Sequence, residues 1–258
     1  MKVDLNADMG ESYGRWTLGD DEALMPHLAS ANIACGFHGG DPHVMRKTVA
    51  LALEHGVGIG AHVAFPDLIG FGRRRLEATP EEIQDYVVYQ AGAIRAFAEA
   101  AGGRLQHVKP HGALYTTIVD SDEHARAVAD AVALVGPDVI LLMPPEVGPA
   151  AGRAGVPFVA EGYVDLDYDA AGKLVLERVK QLRDPEEMGE RAVKLVRDGR
   201  VPTVDGGELE LHVESICVHG DAPNAPEIAR AIRQALQEAD VDIAPLAELR
   251  AATAPAAG

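Results

Sequence analysis

Seven short apolar segments alternate along the chain with longer segments whose apolar residues recur at helical spacing. The short segments are centred on residues 3–7, 31–36, 57–61, 105–108, 139–143, 156–160 and 215–218. Strands that alternate with helices form parallel βαβ units, and a continuous apolar run is typical of a strand buried on both faces. The pattern predicts an α/β fold with a parallel sheet that is either closed into a barrel or doubly wound.

Capping residues mark where the helices begin. Thr79 stands before Pro80 and is followed three residues later by Glu82, which is the signature of a capping box, and Gly102 ends the segment. These signals predict a helix that runs to about residue 101. Similar signals predict four more helices, capped by Asp41, Asp120, Asp184 and Asn224.

The length of the chain bears on how many domains it forms. Its 258 residues suit one domain, because single β/α barrels run to roughly 250 residues. Asp205, Gly206 and Gly207 separate two β-prone segments, so we expect a small hairpin near residues 202–212, inserted in the last crossover. We therefore expect a single domain over residues 1–258.

The charge of the chain excludes some classes of partner. Forty acidic and 23 basic side chains give a formal net charge of −17. Such a charge repels the phosphates of nucleic acids and anionic membrane surfaces, so neither is an expected partner. A small anionic substrate stays possible, because the local field of a pocket need not follow the sign of the whole protein.

The cysteines and the first residues indicate a compartment. Cys35 and Cys217 are the only cysteines, and they form neither a disulfide framework nor a CxxC zinc motif. The N-terminal residues lack the apolar run of a signal peptide or a membrane span. We expect a soluble cytoplasmic protein in which both cysteines are buried structural residues. The alternative, open for Cys217 alone, is a side chain that faces inward beside His219.

Polar residues gather where the predicted strands end, which is where parallel α/β folds build their active sites. Asp4, Asn6 and Asp8 alternate with apolar residues and therefore share one face of the first strand. His107, Lys109 and His111 share one parity in the fourth strand in the same way. We expect these rows to face the inside of the sheet structure.

Four histidines each follow a different predicted strand, and a closed barrel would bring them together at one mouth. One such histidine is more often a structural residue that bonds a loop carbonyl, but four at equivalent positions predict a site. These four are His38, His62, His111 and His219. The histidines without such a placement, expected at the surface, are His27, His55, His124 and His212.

Two kinds of chemistry fit the acidic residues of the first strand. Asp4 and Asp8 could act as a general base and as a carboxylate that orients a histidine. Alternatively, they could bind a divalent metal together with His38 and His62. The chain has no HExxH motif and no His-x-His pair, so the metal hypothesis rests only on the convergence of these residues. The sequence leaves both alternatives open.

Two further segments carry candidate groups. Lys109 places an ammonium beside the imidazole of His111, which suits stabilisation of negative charge next to a group that moves a proton. Gly39 and Gly40 lead into the helix after Asp41, whose first amides are expected to be free donors for an anion or oxyanion. The alternative for the glycine segment is a flexible turn.

A basic run follows the third predicted strand. Arg73 and Arg74 could fold over a substrate carboxylate, or they could form a solvated surface at a subunit or partner contact. The chain contains no Walker A motif and no GxGxxG motif, so by itself it is not expected to bind ATP or a dinucleotide.

Several segments of this chain resemble motifs of the LamB/YcsF lactam-utilisation family. They read DLNADMGE at 4–11, NIACGFHGGDP at 32–42, GAH at 60–62, PD at 66–67, GFGRR at 70–74, KPHGALY at 109–115 and ICVHGD at 216–221. The match spans most of the chain, and the motifs together are highly specific.

The resemblance implies a seven-stranded parallel β/α barrel, TIM-like and similar to the glycoside hydrolase/deacetylase superfamily. It also implies the role of the A subunit of an ATP-hydrolysing 5-oxoprolinase, which converts 5-oxo-L-proline (pyroglutamate) to L-glutamate. In that scheme the B and C subunits bind ATP as partners and activate the lactam by phosphorylation, and this chain hydrolyses the activated ring. ATP then belongs to the complex, while a divalent metal stays undecided.

The residue pattern and the resemblance together give two sets of candidate site residues. The catalytic set is Asp4, Asp8, His38, His62, Lys109, His111 and His219. The substrate-binding set is Asn6, Asn32, Gly39, Gly40, Arg73, Arg74, Tyr115 and Asp221.

One region departs from the family pattern. The family usually carries an Ala-Asp-Arg turn after the sixth strand and then an Arg-Ser pair. Here the turn reads Val164, Asp165, Leu166, and the later segment reads LERV at 176–179. If those arginines bind the substrate carboxylate, this chain is expected to have altered specificity, weaker activity or a different lactam substrate.

Two other functions stay open. One is a metal-dependent, deacetylase-like hydrolase that acts alone on an N-acyl or other lactam substrate. The other is a non-catalytic subunit that binds substrate and presents it to partners. The sequence also leaves open which histidine is the base and whether the chain forms a homo-oligomer.

Overall fold

Seven parallel strands close into a barrel in the computed structural model, which describes residues 1–175 and 180–253. Neighbouring strands pair in chain order, and the last barrel strand closes the ring by pairing with both the sixth and the first. The barrel is therefore confirmed, and the doubly wound alternative is wrong. The barrel strands are β1 (Lys2–Met9), β2 (Ser30–Ala34), β3 (Gly58–Val63), β4 (Leu105–Pro110), β5 (Ile140–Met143), β6 (Phe158–Tyr163) and β11 (Ser215–Val218).

Within the described residues, five short strands lie outside the ring. Strands β7 (Asp167–Tyr168) and β8 (Leu174–Val175) form one antiparallel pair, and β9 (Arg200–Pro202) and β10 (Glu208–Glu210) form another. The second pair lies in the region where the sequence predicts a hairpin. Strand β12 (Asp242–Ile243) runs parallel to the first residues of β1. The assignment of the whole chain to one domain stays a prediction.

Helices follow the strands. They are α1 (Asp21–Leu24), α2 (Pro42–Glu54), α3 (Pro80–Ala100), α4 (Gly112–Val119), α5 (Asp122–Val135), α6 (Gly148–Ala154), α7 (Pro185–Asp198), α8 (Ala225–Glu238) and α9 (Leu246–Thr253), with 3₁₀ turns at Met25–His27 and Pro145–Val147. In the part of the chain that the structure describes, no helix is long and apolar enough to cross a membrane.

The helix starts mostly follow the capping signals. The Thr79 hydroxyl accepts a hydrogen bond from the Glu82 amide, and the Glu82 carboxylate accepts one from the Thr79 amide, so the capping box is confirmed. The prediction for Asp120 is wrong by one residue, because α4 extends to Val119 and the hydroxyl of Ser121 caps α5. Asn224 stands at the start of α8, but its side chain donates to the backbone carbonyl of Arg183, before α7, instead of capping.

The two faces of the barrel strands are chemically different. In β1, Val3, Leu5 and Met9 are almost fully buried in the apolar cluster that includes the helices. Asp4 and Asn6 alternate with them and hydrogen-bond to side chains of other strands. Because successive side chains of a strand point to opposite faces, the barrel has an apolar outer layer and a polar interior.

Gly60 in β3 provides the space for a buried imidazole. A Cβ atom at Gly60 would lie 2.0 Å from Nε2 of His107, which is itself 2.7 Å from Oδ1 of Asn32. We expect Gly60→Ala to lower the free energy of unfolding by about 1–3 kcal/mol, because the overpacked ring must move and loses its hydrogen bond. Urea denaturation followed by circular dichroism measures this difference.

The matched control is Gly92→Ala on the exposed side of α3, where a Cβ atom meets no described atom within 4 Å. It is expected to raise stability by up to about 1 kcal/mol through helix propensity. Equal stability of Gly60→Ala and the wild type would contradict the tight packing of His107 against β3.

Candidate functional site

The lowest polar layer of the barrel surrounds Asp4. This fully buried carboxyl group accepts hydrogen bonds from the hydroxyls of Ser30 and Ser215, the former at 2.6 Å. Burial raises the pKa of Asp4 to about 7, although both hydroxyls oppose the shift. Asp4 does not line the cavity described below, so its observed contacts are those of a residue that holds three strands together.

A second layer supports the residues above it. The amide of Asn6 donates to Oγ of Ser215 at 2.7 Å, and the amide of Asn32 donates to Oδ1 of Asn6 at 2.7 Å. Asn32 also donates to Oδ1 of Asp8 at 3.0 Å. Both asparagines are fully buried and lie outside the cavity lining, so the structure places them beneath Asp8 and not at the surface that a substrate would touch.

The third layer is centred on the buried ammonium of Lys109. Its Nζ lies 3.0 Å from Oδ1 of Asp8, 3.2 Å from Oε2 of Glu161 and 2.8 Å from Sγ of Cys217. Burial alone would lower the pKa of Lys109, but these partners raise it well above its usual value. The lysine is therefore a permanent cation inside the barrel.

Asp8 is the anionic counterpart of that cation. Burial alone would raise its pKa, but His62 and Lys109 outweigh this effect and hold the pKa of Asp8 well below its usual value. Glu161 adds a second carboxylate from β6, a residue that the sequence reasoning missed. The available signal was a glutamate among the apolar and small residues of the sixth strand.

Hydrogen bonds to backbone carbonyls fix the tautomers of two histidines. Nδ1 of His62 lies 3.0 Å from the carbonyl oxygen of Lys109, and Nε2 of His111 lies 2.9 Å from the carbonyl oxygen of Phe71. A carbonyl only accepts, so each of these nitrogens must carry a proton. In the neutral rings the other two nitrogens, Nε2 of His62 and Nδ1 of His111, are unprotonated and face each other at 2.9 Å.

Two more buried groups adjoin this histidine pair. Nε2 of His38 lies 3.3 Å from Oε1 of Glu11, and the ring of His38 stacks on that of His111 with centroids 3.9 Å apart. One ligand atom from each of the four residues Glu11, His38, His62 and His111 lies within 4.8 Å of the others. We call these four residues the Glu–His cluster. Such a cluster could hold a divalent metal ion.

Burial has a strong effect on the protonation of the Glu–His cluster. It lowers the pKa of His38 and of His111 well below the usual value, with further contributions from the neighbouring histidines. It raises the pKa of Glu11 well above the usual value, assisted by the nearby charge of Asp8. The uncharged forms of Glu11, His38 and His111 are therefore favoured in the absence of a cation.

The candidate ligand set differs from the one that the sequence suggested. His38 and His62 do come together, but with Glu11 and His111 in place of Asp4 and Asp8. Strand parity could not indicate Glu11, because Gly10 adopts a φ of +67° and ends the alternation of β1. The position of His111 directly after β4 did mark it as a site residue, but the sequence analysis predicted a role in proton transfer and not in metal binding.

A separate carboxylate–imidazole pair lies on the opposite side of the mouth. Nδ1 of His219 is 3.0 Å from Oδ2 of Asp165, whose carboxylate also accepts the His219 amide at 2.9 Å. Burial opposes ionisation of Asp165, but His219 outweighs it, and the pKa of Asp165 is lowered. The pair fixes the proton of His219 on Nδ1 and leaves Nε2 as a potential base.

A cavity of about 340 Å³ opens at the carboxyl ends of the strands, between these groups. Candidate residues in its lining are Asp8, His62, Arg73, Lys109, His111, Tyr115 and His219; others are Arg75, Tyr163, Leu166, Leu174 and Lys180. The candidates that do not line it are Asp4, Asn6, Asn32, His38, Gly39, Gly40, Arg74 and Asp221.

The three arginines at positions 73–75 lie in different environments. Arg73 lines the cavity and forms an ion pair with Asp221 at 2.6 Å. Arg74 is absent from the cavity lining; it pairs with Asp67, and its side chain is 62% exposed. Arg75, which was not a candidate, lines the cavity instead.

The glycine segment before α2 positions residues and offers fewer donors than expected. The carboxylate of Asp41 accepts hydrogen bonds from the amides of His43 at 2.7 Å and Val44 at 3.1 Å. The expectation that these first helix amides are free is therefore wrong. A Cβ atom at Gly39 would lie 2.8 Å from the carbonyl oxygen of Glu11, so this glycine allows the loop to pack against the segment that carries Glu11.

The cysteines and the histidines expected at the surface can also be compared with their predictions. Both cysteines are buried, but Cys217 contacts the Lys109 ammonium inside the barrel and is more than an apolar packing residue. Among the histidines expected at the surface, His55 and His212 are exposed and His27 and His124 are half-buried. The LERV segment at 176–179 lies outside the described residues.

Comparison with known proteins identifies the family. The model of the LamB/YcsF family matches residues 3–251. The chain belongs to the LamB/YcsF family. The predicted relationship is therefore confirmed over nearly the whole sequence.

Similar proteins match this LamB/YcsF chain over nearly its whole length. A Thermococcus onnurineus protein, named as the A subunit of 5-oxoprolinase, is 47% identical over 252 residues, covering 96% of this chain and 99% of its own. The crystal structure of a lactam utilization protein from Thermus thermophilus has a TM-score of 0.89 and 45% identity, covering 95% of this chain and all of its own. A T48 deacetylase solved with substrate, 15% identical with a TM-score of 0.50 over 98% of this chain and 93% of that one, shares the fold alone.

Removal of the Lys109 charge tests the buried network. Lys109→Met leaves Asp8 and Glu161 without their cation, so we expect the free energy of unfolding to fall by about 3–5 kcal/mol. Chemical denaturation measures the loss. The control is Lys47→Met, which removes an exposed ion pair with Glu22 and should change little. Stability equal to that of the wild type in Lys109→Met would contradict the network.

The raised pKa of Asp4 predicts how stability depends on pH. Its neutral form is favoured in the folded state, so this contribution to stability is complete below about pH 4 and is lost as the pH rises towards about 7. Asp4→Asn keeps a neutral side chain that donates and accepts. The free energy of unfolding of Asp4→Asn should therefore rise relative to that of the wild type between pH 4 and 7, by an amount on the order of 4 kcal/mol.

Thermal and urea denaturation at several pH values measure this difference. The control is Asp130→Asn on the surface of α5, which should follow the wild-type profile. A stability difference between Asp4→Asn and wild type that does not vary with pH would show that Asp4 is charged in the folded protein.

Proposed function

We propose that this chain is the A subunit of an ATP-dependent 5-oxoprolinase and that it hydrolyses an activated cyclic amide to yield L-glutamate. Near-full-length similarity to proteins that carry this name, and to a lactam utilization protein, supports the proposal. The observation that carries it is the meeting of Lys109, His111 and His219 in one small cavity.

Opening of a lactam ring needs a base for the attacking water and a group that stabilises the developing oxyanion. His219 is the best-placed base, because Asp165 holds its proton on Nδ1 and leaves Nε2 free to accept one. Asp165 acts as the positioning residue. Lys109 supplies the fixed positive charge at the floor of the cavity, where it is held by Asp8 and Glu161.

The cavity also suits a small anionic substrate. Its volume of about 340 Å³ lies at the lower end of the range for small-molecule sites. Arg73, Arg75 and Lys180 line it and provide cations for the carboxylate of 5-oxoproline. Tyr115 lines the same cavity. These cations would compensate for arginines that the family carries in the segment after β6.

ATP and the partners belong to the proposal at the level of the complex. The sequence contains no Walker A motif, and the name of the relatives describes one subunit of an assembly. The B and C subunits would bind ATP and phosphorylate the lactam, and this chain would hydrolyse the activated ring, which releases glutamate and inorganic phosphate. Two free thiols fit a reducing compartment, so we place the complex in the cytoplasm.

A second candidate is a metal-dependent hydrolase that acts without ATP on an N-acyl or other lactam substrate. The Glu–His cluster favours it, because two of its members, His62 and His111, line the same cavity. A third candidate, a subunit that only binds and presents substrate, predicts that changes at His219 alter affinity without altering the chemical step.

Glutamate release from 5-oxoproline with ATP tests these alternatives. The assay compares this chain alone, the B and C subunits alone, and all three together. We expect release only from the full mixture. Release by this chain alone without ATP would favour the second candidate, and no release with partners that are active beside the A subunit of another organism would contradict the proposed substrate.

A variant separates catalysis from binding in the same assay. His219→Asn should lower kcat by about 10²–10⁴-fold with little change in KM, since it removes the base but keeps a polar side chain of moderate size. His212→Asn on the exposed side of the β10 segment is the matched control and should turn over normally. A change in KM alone in His219→Asn would support the non-catalytic alternative.

A further inference from the structure

We propose that Glu11, His38, His62 and His111 form a mononuclear binding site for a divalent transition-metal ion of the Zn²⁺ class. The proposal rests on the geometry of these four side chains and goes beyond the proposed function. It holds or fails whatever lactam the chain hydrolyses.

The hydrogen bonds of the two central histidines are those of metal ligands. Histidines that bind a metal usually donate their other ring N–H to a backbone carbonyl or a carboxylate, which fixes the tautomer and aims the free nitrogen at the ion. His62 donates to the carbonyl of Lys109 at 3.0 Å, and His111 donates to the carbonyl of Phe71 at 2.9 Å. Both free nitrogens are thereby directed to the same point.

The spacing of the ligand atoms fits one ion. A tetrahedral ion with bonds of about 2.0–2.1 Å places its ligand atoms about 3.4 Å apart. The observed separations are 2.9 Å from His111 Nδ1 to His62 Nε2, 3.3 Å from His38 Nε2 to Glu11 Oε1, and 3.9 Å from His111 Nδ1 to Glu11 Oε1. Small side-chain rotations would equalise them.

The cluster also contains unpartnered buried atoms. Within the described part of the chain, Oε1 of Glu11 and both ring nitrogens of His38 have no hydrogen-bond partner. Burial of an unpaired polar atom costs about 1–3 kcal/mol, so native proteins rarely retain several at one place. A bound cation would satisfy the Glu11 oxygen and one His38 nitrogen, and it would remove the repulsion between the lone pairs of His62 and His111.

The surrounding chain holds the ligands in place without the ion. The ring of His38 is stacked on His111 and meets the edge of Phe71 at a centroid distance of 5.5 Å. Gly72 adopts a φ of +62°, and a Cβ atom there would lie 2.9 Å from both His111 Cδ2 and His38 Cβ. The loop after β3 therefore closes over the cluster only because residue 72 is a glycine.

The donor set indicates the class of metal. Three imidazole nitrogens and one carboxylate oxygen suit Zn²⁺ or Co²⁺, whereas Mg²⁺ and Ca²⁺ prefer oxygen ligands. Four protein ligands complete a tetrahedral coordination shell, so such an ion would polarise a substrate oxygen only by taking it as a fifth ligand. The role of this chain's own residues is to aim the ligands, while Asp8, 3.3 Å from His62 Nε2, adds negative charge beside the site.

Metal binding by the full chain tests the proposal directly. The protein is stripped with a chelator and titrated with Zn²⁺ by isothermal calorimetry, and Co²⁺ is added separately to record its visible spectrum. We expect one equivalent of Zn²⁺ per chain and the intense Co²⁺ bands of a four-coordinate site, with no binding of Mg²⁺ at the same concentrations. A stripped chain that binds neither Zn²⁺ nor Co²⁺ would overturn the proposal.

Variants locate the bound ion. Glu11→Gln keeps the side-chain volume and His38→Ala removes a ring, and each should lose stoichiometric Zn²⁺ binding and the Co²⁺ spectrum. The exposed His55→Asn is the control and should bind as the wild type does. Circular dichroism establishes that each variant is folded. Unchanged binding in folded Glu11→Gln and His38→Ala would place the ion elsewhere and contradict the site, whatever the outcome of the glutamate assay.

Discussion

The ammonium of Lys109 is the charge around which the inside of the barrel is arranged. It comes from β4 and lies within ion-pair distance of Asp8 on β1 and Glu161 on β6. A buried cation of this kind is tolerated only when its partners are close and well oriented, since each isolated charge carries a desolvation penalty of several kcal/mol. The layers below supply that orientation, because Asn32 and Asn6 hold Asp8 from beneath. Strand register and charge pairing therefore depend on each other.

Closure of the barrel also places two different groups of histidines on opposite sides of the cavity mouth. His219 follows β11, whereas His62 ends β3 and His111 follows β4, and in a seven-membered ring these strands lie on opposite sides. One side of the cavity consequently presents an imidazole held by a carboxylate, and the other presents His62 and His111, two members of the Glu–His cluster. A substrate in the cavity would be approached from both sides, with the Lys109 charge at its floor.

The fold could be predicted from the sequence because its signals are local. Apolar runs, caps and strand parity placed the seven barrel strands, and the row of Asp4, Asn6 and Asp8 faces inward as the alternation required. The alternation of residues along a strand could not indicate how deep inside the barrel each inward side chain lies. Asp4 and Asp8 share a face of β1, yet the first is a buried structural carboxyl group and the second lines the cavity.

The remaining errors have physical causes that single residues explain. Glu11 follows a glycine with positive φ, so a rule based on extended backbone could not assign its direction. Arg73, Arg74 and Arg75 are adjacent in sequence, but only the folded loop decides that Arg74 pairs with Asp67 while its neighbours reach the cavity. Glu161 and Asp165 contact Lys109 and His219, which belong to other parts of the barrel. Patterns of neighbouring residues in the sequence could not predict these contacts.

The separation of the two strand faces has a consequence for how this protein can change over evolutionary time. In β1 the residues that pack under the helices and the residues that carry the chemistry alternate one by one, yet they touch different neighbours. A substitution on the outer face alters packing and leaves the inner charges where they are. Thermal adaptation and a change of substrate can therefore proceed by independent mutations within the same strand.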